Sequence, residues 1–151
     1  FFKLKTAYAI MPSLVGSEMC IRDSSISSTL IHIGHHKKGS DIATGGLYGT
    51  ESAHNVGVIP LGLAMGIRAP IDNKEMVVLV KGKRCQIMAV SLEHITINLD
   101  NVENVAIGDR VTIIGRDGDE SISLQELAYA WQVTPLQALM SISGRFSVRS
   151  T

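Results

Sequence analysis

A chain of 151 residues with 45% hydrophobic side chains is long and apolar enough to bury a real core, which excludes an intrinsically disordered protein. Its 14 basic and 14 acidic side chains cancel without a basic stripe, which argues against a nucleic-acid binder. No apolar run reaches the roughly 18 residues that a membrane helix needs, and Cys20 and Cys85 make no disulfide framework, so no membrane partner and a reducing, cytoplasmic setting are expected.

The first residues stand apart from the rest. Lys3 and Lys5 precede an apolar stretch, as in a secretory leader, but Pro12 and Ser13 interrupt it and no convincing small-residue cleavage site follows. Pro12 to Ser24, PSLVGSEMCIRDS, fits neither helical nor strand periodicity and resembles a translated sequencing-adapter read-through. Residues 1–24 are therefore set aside as a non-native or disordered leader, and the domain is expected over residues 25–151.

From Ser25 onward the pattern is strand-like. Ser28 to Ile33 is rich in β-branched residues and partly alternating, as in one half-buried strand. His35 to Ser40 is polar and breaks at Gly39; Asp41 to Gly49 carries three glycines and reads as a loop or bulged segment. Asn55 to Leu61 reads as a strand with Pro60 at an edge or an end. Met76 to Val80 and Arg84 to Val90 flank Lys81-Gly82-Lys83 as a hairpin, with Gly82 free to take a positive φ. His94 to Leu99 alternates cleanly, placing Ile95, Ile97 and Leu99 on one face. Val111 to Ile114 is a further short strand.

Helices come late. Ser123 to Glu126 matches a capping box, in which Ser123 accepts from the Glu126 N–H and Glu126 reaches back. Leu124, Leu127, Ala128 and Trp131 follow on one face. Thr134-Pro135 starts a second helix with Leu136, Leu139 and Met140 as its apolar face and Gly144 as its stop. The predicted architecture is mainly β, a small barrel-like domain with two short helices near the C-terminus.

Local motifs give little chemistry. His32, His35 and His36 lack partner ligands at metal-site spacing, and Asp117 to Glu120 has calcium-loop letters without the remaining ligands, so no metal is expected. The GGLYG run lacks the strand and helix of a dinucleotide fold, and no Ser-His-Asp order assembles with any specificity. Val90 to His94 joins two strands, and Glu93 at that junction could orient a substrate ammonium.

Several of these segments resemble, in order and spacing, the C-terminal domain of alanine racemases. Lys38-Gly39 resembles the family's Lys-Pro-Gly turn, and Val58 to Gly62 the strand before its Gly-Tyr-Ala-Asp-Gly segment, here Gly62 to Gly66. Val80 to Arg84 resembles its hairpin. Ser91-Leu92-Glu93 lies where the family has a Ser or Cys followed by Met-Asp, and Gly108 to Gly115, GDRVTIIG, is the closest match.

The resemblance implies a homodimer acting on a small-molecule amino acid, with pyridoxal 5'-phosphate carried on a lysine of a preceding α/β barrel as the electron sink at Cα. It further implies two bases, that lysine and a tyrosine of this domain that reaches the partner subunit's active site. The fragment alone is expected to be inactive, and the full-length protein to be a racemase, an isomerase. Spacing from Gly39 and from Pro60 puts Thr44 at the position of the catalytic tyrosine; a slipped register would instead use Tyr48. Leu63 and Met65 occupy the access channel in place of a tyrosine and an aspartate, Leu92 and Glu93 the substrate-binding junction, and Gly144 the place of a tyrosine near the cofactor phosphate. The thinned polar lining leaves a second expectation open, a non-catalytic dimerisation or ligand-binding β module derived from that domain.

Overall fold

The computed structural model describes residues 25–42, 48–49, 52–69 and 75–143. The leader assigned to residues 1–24, Thr44 and Gly144 lie outside the described residues.

Among the described residues, ten strands and two helices follow in chain order. The strands are β1 (Ile26–Thr29), β2 (His32–His36), β3 (Asp41–Ile42), β4 (Tyr48–Gly49), β5 (His54–Ile59), β6 (Val77–Val80), β7 (Lys83–Val90), β8 (Ile95–Asn98), β9 (Arg110–Asp117) and β10 (Glu120–Ile122). A 3-10 turn at Leu63–Met65 follows β5, and the helices α1 (Leu124–Ala130) and α2 (Pro135–Ile142) close the order. One antiparallel sheet runs β1-β9-β6-β7-β8-β5-β2, with β10 added on β9; β3 and β4 pair separately.

The two ends of the sheet, β1 and β2, are consecutive in the chain. Seven strands laid flat would put them about 29 Å apart at the usual strand spacing, whereas Thr29 and His32 can be separated by at most about 11 Å of chain. The sheet must therefore curl strongly. It is not closed, because β1 and β2 pair with β9 and β5 and not with each other, so barrel-like describes its curvature only.

That crossing corrects the single strand expected over Ser28 to Ile33. The chain changes partners at Leu30 and Ile31: the Leu30 N–H donates to the Asp109 carbonyl and the Ile31 N–H to the Val58 carbonyl, both at 2.9 Å. Leu30 is driven into the core by its apolar side chain and is 1% exposed. The loop reading of Asp41 to Gly49 also gains structure, since Ile42 pairs with Tyr48 across the β3–β4 hairpin.

The alternation expected over His94 to Leu99 holds. Ile95, Ile97 and Leu99 are buried together with Ile59, Val78, Val80, Ile87, Val111 and Ile113. Pro60 sits just past the end of β5. Lys81 and Gly82 make the β6–β7 turn with φ of 50° and 71°, the twisted two-residue turn that a right-handed hairpin prefers. Cys85 on β7 is a free, buried thiol; burial pushes it up to about 11, against an opposing hydrogen bond from the Val80 backbone, which keeps it protonated and unreactive.

The helical corner departs from expectation in two places. Ser123 Oγ accepts from the Glu126 N–H at 3.1 Å, but the Glu126 carboxylate does not reach back. It binds Arg84 of β7 instead, at 2.5 Å and 3.3 Å, while Glu120 and the Ser121 carbonyl take two further guanidinium donors. A cation offering several directed hydrogen bonds outcompetes a single backbone N–H. In α2 the Thr134–Gln137 capping box forms in full, but the buried residues are Ala138 and Ile142, with Leu139 partly covered. Leu136 and Met140 face outward. Trp131, just after α1, is fully buried with its indole N–H on the Met76 sulfur at 3.3 Å.

Candidate functional site

The junction between β7 and β8 and the turn after β5 are far apart in sequence and touch in space. The junction is built by Ser91. Its N–H and its hydroxyl both donate to the His94 carbonyl, at 2.8 Å and 3.0 Å, and its Oγ accepts the His94 N–H at 3.2 Å. A serine that satisfies the backbone locally stabilises a tight turn. Leu92 and Glu93 are left at the tip, exposed.

Against this tip lies Gly62. Its φ of −165° is available to any residue, so conformation does not demand glycine there. Proximity does: a Cβ at Gly62 would lie 2.6 Å from the Leu92 oxygen and 2.7 Å from the Glu93 nitrogen, and closer still to the Ser91 oxygen. Beyond Gly62 the chain winds into the 3-10 turn. The Leu63 N–H donates to the Ser91 carbonyl at 3.0 Å and the Ala64 N–H to the Leu92 carbonyl at 2.8 Å. Gly66 ends the turn in the left-handed region at φ 82°, returning its N–H to the Leu63 carbonyl.

The result is a main-chain clasp with four side chains on it. Leu63 is 48% and Leu92 64% exposed, Glu93 is exposed, and Met65 is partly buried against the core. The structure thus brings together Leu63 and Met65 with Leu92 and Glu93. The backbone of Tyr48 is paired in β4, and Thr44 lies outside the described residues.

The arrangement can present a carboxylate and apolar surface to a small polar molecule approaching from outside. It does not suit a phosphorylated cofactor, since the clasp offers Glu93's negative charge and no cation. Among the described residues, no group of three or more His, Cys, Asp or Glu side chains is placed to hold a metal ion. No helix there is long and apolar enough to cross a membrane.

One polar constellation escaped the sequence reading. Ser52, His54 and Asp100 are linked in a row at the far end of β5. The signal was register: β5 pairs β8 with Val56 opposite Asn98, and continuing that register outward sets His54 opposite Asp100.

Comparison with known proteins bears on the same segments. The family model for the alanine racemase C-terminal domain matches residues 24–150. The alanine racemase of Thermodesulfovibrio yellowstonii is 32% identical over 142 residues, covering 91% of this chain and 39% of the relative. That of Streptococcus gordonii is 33% identical over 143 residues, covering 94% and 35%. Among solved structures, an alanine racemase from E. faecalis superposes with a TM-score of 0.71 at 33% identity, over 80% of this chain and 32% of that one. One from Oenococcus oeni shares the fold, with a TM-score of 0.72 at 22% identity. The chain therefore spans between about a third and two-fifths of the length of these relatives. With its curled sheet, its two late helices and this match along nearly all of the domain, the chain belongs to the alanine racemase C-terminal domain family.

Proposed function

We propose that the chain is the C-terminal part of a dimeric, cytoplasmic, pyridoxal-phosphate-dependent amino-acid racemase and that its clasp closes the active site of the partner subunit. The observation that carries this reading is the clasp itself: the two segments matching the family's access and substrate-binding motifs are joined through main-chain hydrogen bonds. The cofactor belongs to the part of the relatives that this chain does not span.

In this reading Glu93 attracts the substrate ammonium and the Leu92 N–H receives the substrate carboxylate. Leu63 and Met65 form the walls of the approach. Thr44 occupies the position of the second base. An aliphatic hydroxyl is far too weak an acid to exchange a proton near neutral pH, whereas a phenol near pKa ~10 can be tuned to do so. Racemisation by this protein therefore leans on the single remaining base and is slow in one direction of proton delivery.

The test is a graft of this chain in place of the matching C-terminal third of the E. faecalis relative, assayed for interconversion of L- and D-alanine. The graft is expected to racemise slowly, and Glu93→Gln to lower kcat/KM about tenfold, mainly through KM. Tyr48→Phe should leave the rate unchanged; a fall of about a hundredfold or more would move the base to Tyr48.

The exposed apolar tips of the clasp, Leu63 and Leu92, favour a second reading, a non-catalytic dimerisation or ligand-binding β module. A graft that folds and dimerises but gives no racemisation above a buffer blank would select it.

A further inference from the structure

Ser52, His54 and Asp100 lie at the end of β5 and the end of β8, in a row set by side-chain hydrogen bonds. Asp100 Oδ2 is 2.6 Å from His54 Nδ1, and Asp100 Oδ1 accepts the Asn55 N–H at 2.7 Å. The Asp100 N–H in turn donates to Asn98 Oδ1 at 2.8 Å. The carboxylate is thus held from two sides and anchored at its own backbone. Partial burial raises its pKa, but the hydrogen bonds from His54 and Asn55 outweigh that and leave it below the usual carboxylate range.

An ionised Asp100 fixes the His54 tautomer. In the neutral ring Nδ1 carries the proton and donates it to Asp100, which leaves Nε2 its lone pair. The amide nitrogen of Asn98 also approaches Nδ1, at 3.3 Å, but Asp100 at 2.6 Å is the nearer and charged partner. Nε2 then accepts the hydroxyl proton of Ser52 at 2.8 Å. A strand-tying role explains Asp100 and Nδ1, which bridge β5 and β8; it does not require a hydroxyl on Nε2. Ser52 is an exposed residue, open to reagents in solution.

We propose that Ser52, His54 and Asp100 form a surface nucleophile, base and orienting carboxylate that accepts acyl groups from small activated esters, an activity separate from racemisation. Ser52 Oγ attacks the ester carbonyl carbon as its proton passes to His54 Nε2, and the Oγ–C bond forms. The tetrahedral adduct collapses, the bond to the leaving oxygen breaks, and that oxygen takes the proton from His54. Water then attacks the acyl-serine as its proton passes to the same nitrogen; the Oγ–C bond breaks, Ser52 Oγ takes that proton back from His54, and the carboxylic acid departs. Asp100 is a positioning residue here, acting only through His54. The site is open, so it selects for reactivity and not for the shape of the acyl group.

The test uses the 151-residue chain with 4-nitrophenyl acetate, following nitrophenolate release and locating the acetyl group by peptide mass mapping. Acetylation at Ser52 is expected, lost in Ser52→Ala. It should slow at least about tenfold in His54→Ala and Asp100→Asn, at the low end of general-base effects because the site is open to water. Asp100→Glu should recover part of the rate. Circular dichroism of each variant separates lost chemistry from lost fold, and the Asn and Glu pair at Asp100 decides the matter if His54→Ala unfolds. No acetyl group on Ser52, or an undiminished rate in folded Asp100→Asn, overturns the proposal.

Discussion

The helical corner and the clasp are held together in opposite ways. At the corner, side chains carry the load: Trp131 is sealed on Met76, and Arg84 gathers Glu120, Glu126 and the Ser121 carbonyl. At the clasp the contacts between the two segments run through main-chain atoms, the Leu63 and Ala64 N–H groups on the Ser91 and Leu92 carbonyls, over a glycine chosen for its lack of a side chain. A region fixed by side chains resists substitution, whereas one fixed by its backbone keeps its shape while its side chains change. The clasp can therefore carry Leu63, Met65, Leu92 and Glu93 where relatives are expected to carry other groups.

The largest effect should come from the corner. Trp131 is fully buried, and Trp131→Ala removes its contacts and leaves a cavity worth about 3–5 kcal/mol. Chemical denaturation with a matched m-value would measure it. A loss under about 1 kcal/mol would mean that α1 and α2 repack freely and that the corner is no more dependent on side chains than the clasp.

Gly62→Ala comes next and breaks the clasp at its one vulnerable point. The new methyl meets the backbone of Ser91, Leu92 and Glu93, which cannot swing aside as a side chain could. A loss of about 1–3 kcal/mol is expected, the range for overpacking. The amide protons of Leu63 and Ala64 should also lose protection from hydrogen exchange ahead of global unfolding. Unchanged protection would show that the segments separate without cost and that the clasp is not a fixed site.

How much of each region could be read from the residues follows from the same contrast. The corner announced itself through helical spacing of Leu124, Leu127 and Trp131 and through two cap motifs, because local sequence determines local geometry. What it withheld was long-range: Glu126 looked like a cap residue until Arg84 claimed it, and Leu136 looked like core where the helix buries Ala138 and Ile142. The clasp gave almost no local signal. Its contacts are between backbone atoms of segments separated by all of β6 and β7 and the connections around them, and nothing in the letters Gly62 or Ser91 names the other. Only the resemblance to a family assigned both motifs to one active site beforehand. The break at Leu30–Ile31 was hidden for a similar reason, since a run of β-branched residues does not show that its two halves pair with different strands. The relay at Ser52, His54 and Asp100 was legible only once register was known.

The ion pairs at the corner are a smaller matter than their number suggests. Arg84, Glu120 and Glu126 are each 40–45% exposed, so solvent screens them. The two carboxylates hold the guanidinium more firmly protonated than usual, Glu126 contributing most, but an arginine is charged in any case. Arg84→Met should cost about 1 kcal/mol at low ionic strength, more than an isolated surface pair because one cation joins two carboxylates, and about half that in molar salt. Salt-independent destabilisation would assign the effect to the packed arginine stem.

The smallest expected effect is the sharpest test of the comparison. Leu92 projects from a turn whose hydrogen bonds are made by Ser91, His94, Leu63 and Ala64, and none of them passes through the Leu92 side chain. With most of that side chain already in water, Leu92→Ser should change stability by no more than about 0.5 kcal/mol. Leu63→Ser, half exposed on the facing turn, should behave alike. If the two changes are silent in the isolated chain and yet alter KM or dimerisation in the racemase graft, the exposed leucines are there for what the clasp touches. If they destabilise the isolated chain as Gly62→Ala does, the side chains help to build the clasp, and the distinction between its backbone frame and its variable surface fails.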